Sequence, residues 1–149
     1  MKGDDRLHQV YLGLGSNMGQ RQMLLEQAIR LIGERVGKVL RQSSFIETEP
    51  WGFESPNKFL NAVVRCETDM TPRQLLKTTQ QIERDMGRKK KSRISHLASR
   101  TLPSYADRPI DIDILLYDDI TIDEPDLKIP HPLMHERDFV MTPLNEIQD

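Results

Sequence analysis

Two carboxylates lie two positions apart inside the hydrophobic segment RPIDIDILLYDD, residues 108–119. Same-face neighbours in a β-strand are about 6.6 Å apart, so a strand here places Asp111 and Asp113 side by side on one face. Two unit charges at that distance repel by roughly 2.5 kcal/mol at an effective dielectric near 20. Bulk water or a bound cation would relieve that repulsion. Carboxylate oxygens without His or Cys suit Mg²⁺, which usually adds water and substrate phosphate, so the pair predicts a magnesium site.

The alternative to a metal site is a solvated face on an edge strand. Ile110, Ile112 and Ile114 alternate with the acids as the buried residues of a strand would. Leu115 and Leu116 then make both faces apolar further along. Apolar residues on both faces are typical of a central strand, which favours a metal between the carboxylates over simple solvent exposure.

The residues before this segment supply positive charge. Residues 88–107 form a long polar stretch without periodicity, and a loop of that length in a compact domain is usually functional or disordered. Magnesium on carboxylates and arginines from a closing loop are both components of phosphoryl transfer. One hypothesis is therefore a mobile cationic lid over a polyphosphate, and the other is a solvated basic loop. Few aromatic residues interleave the basic run, which argues against nucleic-acid binding. The cations are Arg84, Arg88, Lys89, Lys90, Lys91, Arg93, Arg100 and Arg108.

A second candidate pocket lies in the segment FLNAVVRCETD, residues 59–69. Its alternation puts Leu60 and Ala62 on one face of a strand and Phe59 and Asn61 on the other. An aromatic ring beside a carboxamide suits a flat heterocycle, because the ring stacks and the amide offers a donor and an acceptor together. Packing beneath a second cover of the sheet is the alternative for this pair.

The whole chain has the composition of a globular protein. Its 149 residues fit one domain over residues 1–149, with a disordered tail at residues 1–8. The net charge is −2, so no global field attracts nucleic acid or a membrane surface. The single cysteine, Cys66, lies in an apolar run and is expected in the core. Because no run approaches the roughly 18 apolar residues of a membrane span and the N-terminus resembles no signal peptide, we expect a cytoplasmic protein.

Hydrophobic periodicity predicts a β-α-β-β-α-β order with a C-terminal extension. The second helix has the clearest start signal, with Thr71 as N-cap, Pro72 in the first turn and Gln74 completing a capping box. This order is that of the ferredoxin-like α+β fold, an antiparallel sheet with helices on one face. Besides the strand of the two acids, the predicted strands cover residues 9–14, 38–50 and 59–69, and the predicted helices cover 20–37 and 71–87.

Two other motifs nearly match a known kind of site. GLGSNMG, residues 13–19, has Met18 where a dinucleotide fingerprint needs its third glycine, so it predicts only a tight strand-to-helix turn. HPLMH spaces His131 and His135 four residues apart, as zinc ligands can be, but Pro132 lies between them. Surface or hydrogen-bonded histidines are the favoured interpretation of that motif.

The ordered motifs of the chain resemble those of the 6-hydroxymethyl-7,8-dihydropterin pyrophosphokinases of folate biosynthesis. The resemblance extends from Val10 to Ile147. Its most specific element is the signature formed by Arg108, Asp111 and Asp113. In chain order the motifs are LGSN, TEPWG, FLNAVV, TQQIERDMGR, RPIDIDILLY and PHPLMHERDFVMTPL.

The resemblance implies a reaction and its cofactors. Such enzymes transfer the β,γ-pyrophosphate of ATP to the hydroxymethyl oxygen of the pterin and release AMP. The resemblance implies that Asp111 and Asp113 bind two Mg²⁺ ions, and that Arg88 and Arg108 stabilise phosphate charge as further catalytic residues. The expected partners are ATP and the pterin, with no nucleic acid and no membrane, and the expected state is a monomer.

The resemblance also implies two groups of binding residues, and no general base among them. The residues implied for the pterin, with two phenylalanines on either side of its ring, are Thr48, Pro50, Trp51, Phe59, Asn61 and Phe139. The residues implied for ATP are Gln80, Glu83, Lys90, Tyr105, Arg108, His131 and Arg137.

Some positions depart from the family pattern. Tyr105 stands where many members have Trp, Lys90 replaces a second loop arginine, and Ala106-Asp107 replaces a Gly-Pro pair. Phe59 replaces a more usual Tyr, which keeps the stacking surface. Two alternatives stay open: a homologue that binds pterin without turnover, and a ferredoxin-like module that binds RNA through the basic loop.

Overall fold

The computed structural model describes residues 7–49, 57–87 and 109–148, except the side chains of residues 138 and 139. In the main sheet the strand order is β2-β4-β1-β5, every neighbouring pair is antiparallel, and β3 also pairs with β4. A short hairpin of β6 and β7 follows. The elements are β1 (His8–Ser16), α1 (Arg21–Arg35), β2 (Lys38–Gln42), β3 (Ile46–Thr48), β4 (Phe59–Thr68), α2 (Pro72–Asp85), β5 (Asp111–Tyr117), β6 (Ile122–Glu124), β7 (Leu127–Ile129) and α3 (Asp138–Ile147). The predicted ferredoxin-like α+β fold is confirmed.

Helices α1 and α2 cover one face of the sheet. The strands contribute alternate apolar residues to this core, as their period of two requires. The alternation predicted for β4 is confirmed, because Ala62, Val64 and Cys66 all belong to this core. Its other members include Val10, Leu12 and Leu14 of β1, Ile112 and Ile114 of β5, Leu25, Ala28 and Ile32 of α1, and Leu75 and Ile82 of α2.

The start of α2 is fixed by the predicted capping box. The Thr71 hydroxyl accepts a hydrogen bond from the Gln74 backbone N–H at 3.2 Å, and the Gln74 side chain accepts one from the Thr71 N–H at 2.9 Å. These reciprocal bonds satisfy two N–H groups that a helix end would otherwise leave open. At the other end Gly87 has φ +105°, the left-handed conformation that suits glycine just after a helix.

The strand predicted over residues 38–50 is two strands, because Ser43 interrupts it. The Ser43 N–H donates to the Val63 carbonyl, and the Ser43 hydroxyl accepts from the Val63 N–H, both at 2.9 Å. The hydroxyl thus replaces the backbone carbonyl that a regular ladder would offer to β4. The chain leaves strand geometry here and returns to pair with β4 as β3.

Helix α3 covers part of the opposite face of the sheet. Its apolar residues pack over Val63 and Leu115, which point away from α1 and α2. The Glu146 carboxylate fixes the end of α3 by accepting bonds from the Ser44 N–H and hydroxyl, both at 2.7 Å. These bonds lower the pKa of the Glu146 carboxyl. The α3 residues in this second cluster are Val140, Leu144 and Ile147, with Met141 partly buried beside them.

In the part of the chain that the structure describes, β5 is an edge strand, so the prediction of a central strand is wrong. The apolar residues on both of its faces have another cause. The β1–β5 register shifts between Tyr11 and Leu12, which leaves Leu115 as an extra residue. A bulge of this kind turns the strand locally. Leu115 and Leu116 consequently both join the cluster under α3.

Three further expectations concern the tail, the lid and a membrane. Strand β1 already begins at His8, the last residue of the predicted tail. The predicted lid over residues 88–107 lies outside the described residues. Within the described ranges, no helix is long and apolar enough to cross a membrane.

The Cys66 thiol should not react with Ellman's reagent while the protein is folded. Cys66 is fully buried, and burial raises its pKa to about 12, so the reactive thiolate is scarce near neutral pH. The measurement is the absorbance of released thionitrobenzoate with and without guanidinium. We expect reaction only in denaturant, and immediate stoichiometric labelling of the folded protein would contradict the burial.

Candidate active site

The sheet face opposite α1 and α2 brings the two candidate sites together. Gly15 of β1 pairs with Asp111 of β5 on one side and with Asn61 of β4 on the other. One pleat away, Gly13 pairs with Asp113. Directly paired residues project to the same face, and neighbouring strands are about 4.8 Å apart. Asp111 and Asn61 therefore stand about 10 Å apart in one row, and the residue between them has no side chain.

The Asn61 carboxamide is held in one orientation. Its Nδ2 donates to the Thr48 Oγ1 at 2.8 Å and to the Ile46 carbonyl at 3.3 Å. A Cβ on Gly15 would lie 3.1 Å from the Asn61 Oδ1 and 3.4 Å from the Phe59 Cδ1. The amide oxygen and the edge of the aromatic ring therefore both lie within contact distance of the position above Gly15, which is the candidate pocket for a flat polar ring.

The second half of the GLGSNMG motif forms the predicted strand-to-helix turn, and its first half has a further role. Strand β1 runs on to Ser16, so Gly13 and Gly15 lie within the strand, and the turn follows with Gly19 at φ +71°. The two glycines share the site face because they are two residues apart. Glycine inside a strand often marks the close approach of a ligand. That spacing beside an Asp-x-Asp strand is the sequence signal that would have revealed this role.

Replacing Gly15 by Ala should raise the KM for the pterin, the substrate that the sequence resemblance implies, about tenfold, because a methyl group 3.1 Å from the Asn61 Oδ1 forces the amide or the ring to move. The matched control is Gly13→Ala, because the nearest neighbours of its methyl would be Leu115 side-chain atoms at ordinary distances of 3.4 Å or more. Steady-state kinetics with varied pterin test this. Equal pterin KM values for both variants would contradict the pocket above Gly15.

A buried glutamate fixes the strand that carries the two acids. Glu83 is 7% exposed, and its Oε2 accepts a hydrogen bond from the Ile112 N–H at 2.7 Å. Ile112 lies between Asp111 and Asp113, and its N–H is on the side of β5 where no described strand pairs with it. The carboxylate takes the place of a neighbouring strand's carbonyl, in a charge-assisted bond. Sequence reasoning missed this positioning role, although an acid beside the buried Ile82 was a signal for it.

His131 reaches the same edge of β5. Its backbone N–H donates to the carbonyl of the bulged Leu115 at 3.1 Å, and its Nδ1 accepts from the Leu133 N–H at 3.3 Å. The pKa of His131 is lowered to about 4, first by burial and then by the positive charge of Arg137, while Asp111 opposes the shift. The ring is therefore neutral at neutral pH, and the acceptor role of Nδ1 assigns the proton to Nε2.

Of the other predicted site residues, two are fully described, one is described by its backbone alone, and six lie outside the described ranges. Arg137 is buried at the start of α3, close enough to His131 for its charge to lower the pKa of that ring. Gln80 is exposed on α2, one turn before Glu83. The Phe139 backbone belongs to α3, and its side chain is among those not described. The predicted residues outside the described ranges are Pro50, Trp51, Arg88, Lys90, Tyr105 and Arg108.

The two acids fit Mg²⁺ better than a metal with an all-protein cage. Asp111 and Asp113 are both partly exposed, and the β1 residue paired with each of them is a glycine. Among the described residues, no group of three or more His, Cys, Asp or Glu could hold a metal ion. Magnesium typically binds through one or two carboxylates and takes the rest of its octahedron from water and phosphate. The donor set is the one such an ion needs.

Comparisons with known proteins identify the family of the chain. The model of the 7,8-dihydro-6-hydroxymethylpterin-pyrophosphokinase family matches residues 11–149. A 2-amino-4-hydroxy-6-hydroxymethyldihydropteridine pyrophosphokinase of Porphyromonas gingivalis is 49% identical over 93% of this chain and 89% of its own length. The enzymes of that name from Bacillus subtilis and Aquifex aeolicus are 40% and 39% identical over 93% of this chain, and the matches cover 77% and 79% of their lengths.

Solved structures share the fold. A crystal structure of HPPK-DHPS in complex with substrates has a TM-score of 0.72 at 16% identity, and wild-type Plasmodium falciparum HPPK-DHPS has 0.69 at 18%. Both matches cover 95% of this chain, but only 40% and 41% of those longer chains.

The fold is thus that of a ferredoxin-like α+β enzyme, with two acids on an edge strand of its described sheet and the Asn61 amide two strands away on the same face. The chain belongs to the family of 7,8-dihydro-6-hydroxymethylpterin-pyrophosphokinases, with pyrophosphokinase activity in folate biosynthesis. The resemblance found in the sequence is confirmed. The cytoplasmic location and the monomeric state stay predictions.

Proposed function

We propose that the open face of the sheet is the active site, where the β,γ-pyrophosphate of ATP moves to the hydroxymethyl oxygen of 6-hydroxymethyl-7,8-dihydropterin. The pterin oxygen bonds to the β-phosphorus, and the bond from that phosphorus to the α,β-bridging oxygen breaks. AMP leaves with the bridging oxygen, and the hydroxyl proton passes to solvent. The row of Asp111, Gly15 and Asn61 carries this proposal, because it puts a phosphate-side acid and a heterocycle-binding amide on one open face.

Asp111 and Asp113 would hold two Mg²⁺ ions. When bound, these ions supply positive charge to the transferring phosphates and align the attacking and leaving oxygens. The chain's own contribution is the placement of two carboxylates one pleat apart. The bond from the Ile112 N–H to the Glu83 carboxylate, at 2.7 Å, fixes that placement from the outer edge of the strand.

The pterin would bind above Gly15. The Asn61 Nδ2 is occupied by Thr48 and Ile46, so the Asn61 Oδ1 is the group best placed to accept an N–H of the heterocycle. Phe59 borders the same space and offers one stacking surface. The remaining residues assigned to the pterin in this proposal are Pro50, Trp51 and Phe139.

His131 would bind a phosphate oxygen without acting as a base. A neutral ring with the proton on Nε2 can donate a hydrogen bond but cannot accept the hydroxyl proton through that atom. Arg137, buried beside it, would add positive charge. Catalysis then rests on positioning and electrostatic stabilisation, as is usual in phosphoryl transfer. The other residues assigned to ATP and its phosphates are Gln80, Glu83, Arg88, Lys90, Tyr105 and Arg108.

The nucleotide product tests this proposal. Purified protein is mixed with ATP, MgCl₂ and the reduced hydroxymethylpterin, and the nucleotides are separated by ion-pair chromatography. We expect AMP in an amount equal to the pterin consumed, and none when the pterin is omitted or EDTA is added. ADP as the main product, or AMP formation that persists in EDTA, would contradict the proposal.

A further inference from the structure

Arg21 stands at a position where an arginine is electrostatically unfavourable, yet it makes two contacts with neighbouring segments. It is the first residue of α1, where a positive charge opposes the helix dipole, and the first turn has no acidic residue to compensate. Its Nη1 donates to the Lys58 carbonyl at 2.9 Å, and its Nη2 lies 2.7 Å from the Glu47 Oε2. One guanidinium therefore joins α1 to both β3 and the residue before β4.

These two attachment points adjoin the residues assigned to the pterin. Glu47 precedes Thr48, and Lys58 precedes Phe59. Thr48 and Phe59 are partners in the β3–β4 ladder. Strand β3 has only three residues, so its ladder alone gives Thr48 little restraint. A planar fork that reaches a carboxylate and a carbonyl together restrains both neighbours in a fixed geometry, which the rotatable donors of an ammonium group on a flexible stem do not impose.

Two further contacts close the same region. The Asn17 Nδ2 donates to the Asn57 carbonyl at 3.3 Å, and the Lys58 Nζ lies 3.3 Å from the Glu49 Oε2. Asn17 is buried in the turn between β1 and α1, directly after the strand that holds Gly15. The end of β1, the start of α1 and the two pterin-side strands are thereby joined as one unit.

We propose that Arg21 is a positioning residue for the pterin, which acts by holding Thr48 and Phe59 in register above Gly15. This inference rests on the proposed active site, because it assigns the pterin to that pocket. Arg21 has no role in the chemical step. Its loss should weaken binding of the pterin and leave binding of ATP and the turnover of saturated enzyme unchanged.

The test measures the Kd of 6-hydroxymethylpterin by its fluorescence, the Kd of ATP by calorimetry, and kcat, for Arg21→Ala, Arg21→Lys and Arg35→Ala. Arg35 is the matched control, because it lies on the same helix and forms a comparably exposed ion pair with Asp85 at 2.5 Å, away from the pterin strands. For Arg21→Ala we expect the pterin Kd to rise roughly three- to fivefold. A ratio of this size corresponds to the free energy that one surface ion pair contributes. Arg21→Lys should recover only part of that loss, and Arg35→Ala should bind pterin normally.

Three outcomes would overturn the positioning role. They are an unchanged pterin Kd in Arg21→Ala, an equal rise in Arg35→Ala, and a parallel rise in the ATP Kd. Failure of the proposed active site would be seen in the unsubstituted protein instead of the variants. If the unsubstituted protein binds no pterin at saturating concentrations, the active-site proposal fails and this inference fails with it. Melting temperatures of all three variants show whether the chain is still folded.

Discussion

Asp111→Asn and Asp113→Asn should each lower kcat at least about a thousandfold while the protein remains folded. Each substitution keeps the shape of the side chain and removes a charge that would hold Mg²⁺ against the phosphates. Loss of several kcal/mol of transition-state stabilisation corresponds to this factor. The AMP assay at saturating substrates gives kcat, and circular dichroism gives the melting temperature.

The matched control for the two acids is Asp119→Asn. Asp119 is exposed just beyond the end of β5, so it shares the segment without sharing the face. It should keep normal kcat. Near-normal turnover in Asp111→Asn or Asp113→Asn would show that the acid on that position does not hold a catalytic metal. Increasing the MgCl₂ concentration should not restore either variant fully. The amide that replaces the carboxylate is a weaker ligand even when Mg²⁺ is bound, so saturation with Mg²⁺ does not return the lost charge.

Asn61→Ala should raise the pterin KM about a hundredfold and leave the KM for ATP within a factor of about two. Asn61 is 4% exposed, its Nδ2 holds Thr48, and its Oδ1 lies beside Gly15, above which the pterin is proposed to bind. When one partner of a substrate hydrogen bond is removed, the loss of binding free energy is far larger than when a packing contact is removed. The reason is that polar groups of both the site and the substrate are left without partners. The ratio of about a hundred corresponds to roughly 2.7 kcal/mol.

The KM for ATP is the internal control of this experiment, since the nucleotide is assigned to the other side of Gly15. A parallel rise of both KM values would indicate a general disturbance of the sheet. An unchanged pterin KM would remove Asn61 from the binding site and, with it, the assignment of the pocket above Gly15.

The sequence predicted the features that depend on strand and helix periodicity. A period of two placed Asp111 with Asp113 and Asn61 with Phe59 on common faces, and the signals at Thr71 and Gln74 predicted the start of α2. These features follow from local geometry, so one sequence is enough to find them.

The features it missed depend on register and tertiary contacts. Nothing local to Gly15 says that β4 and β5 flank it with Asn61 and Asp111, because that register is set by the whole sheet. The Glu83 carboxylate bonds to a residue 29 positions away, and the edge position of β5 becomes visible only in the assembled sheet. The apolar residues that suggested a central strand come from a bulge at Leu115, which a pattern of alternation cannot distinguish from burial on both faces.

In the proposed reaction the β- and γ-phosphates of ATP move together to a pterin held beside Asp111 and Asp113. The direct measurement uses ATP labelled with radioactive phosphorus at the β-position, incubated with the enzyme, MgCl₂ and the reduced pterin, followed by separation of the pterin from the nucleotides. We predict that the label appears in the pterin product and that unlabelled AMP accumulates. Label that remains in ADP, with an unlabelled phosphopterin, would show that only the γ-phosphate moves and would contradict transfer of the pyrophosphate.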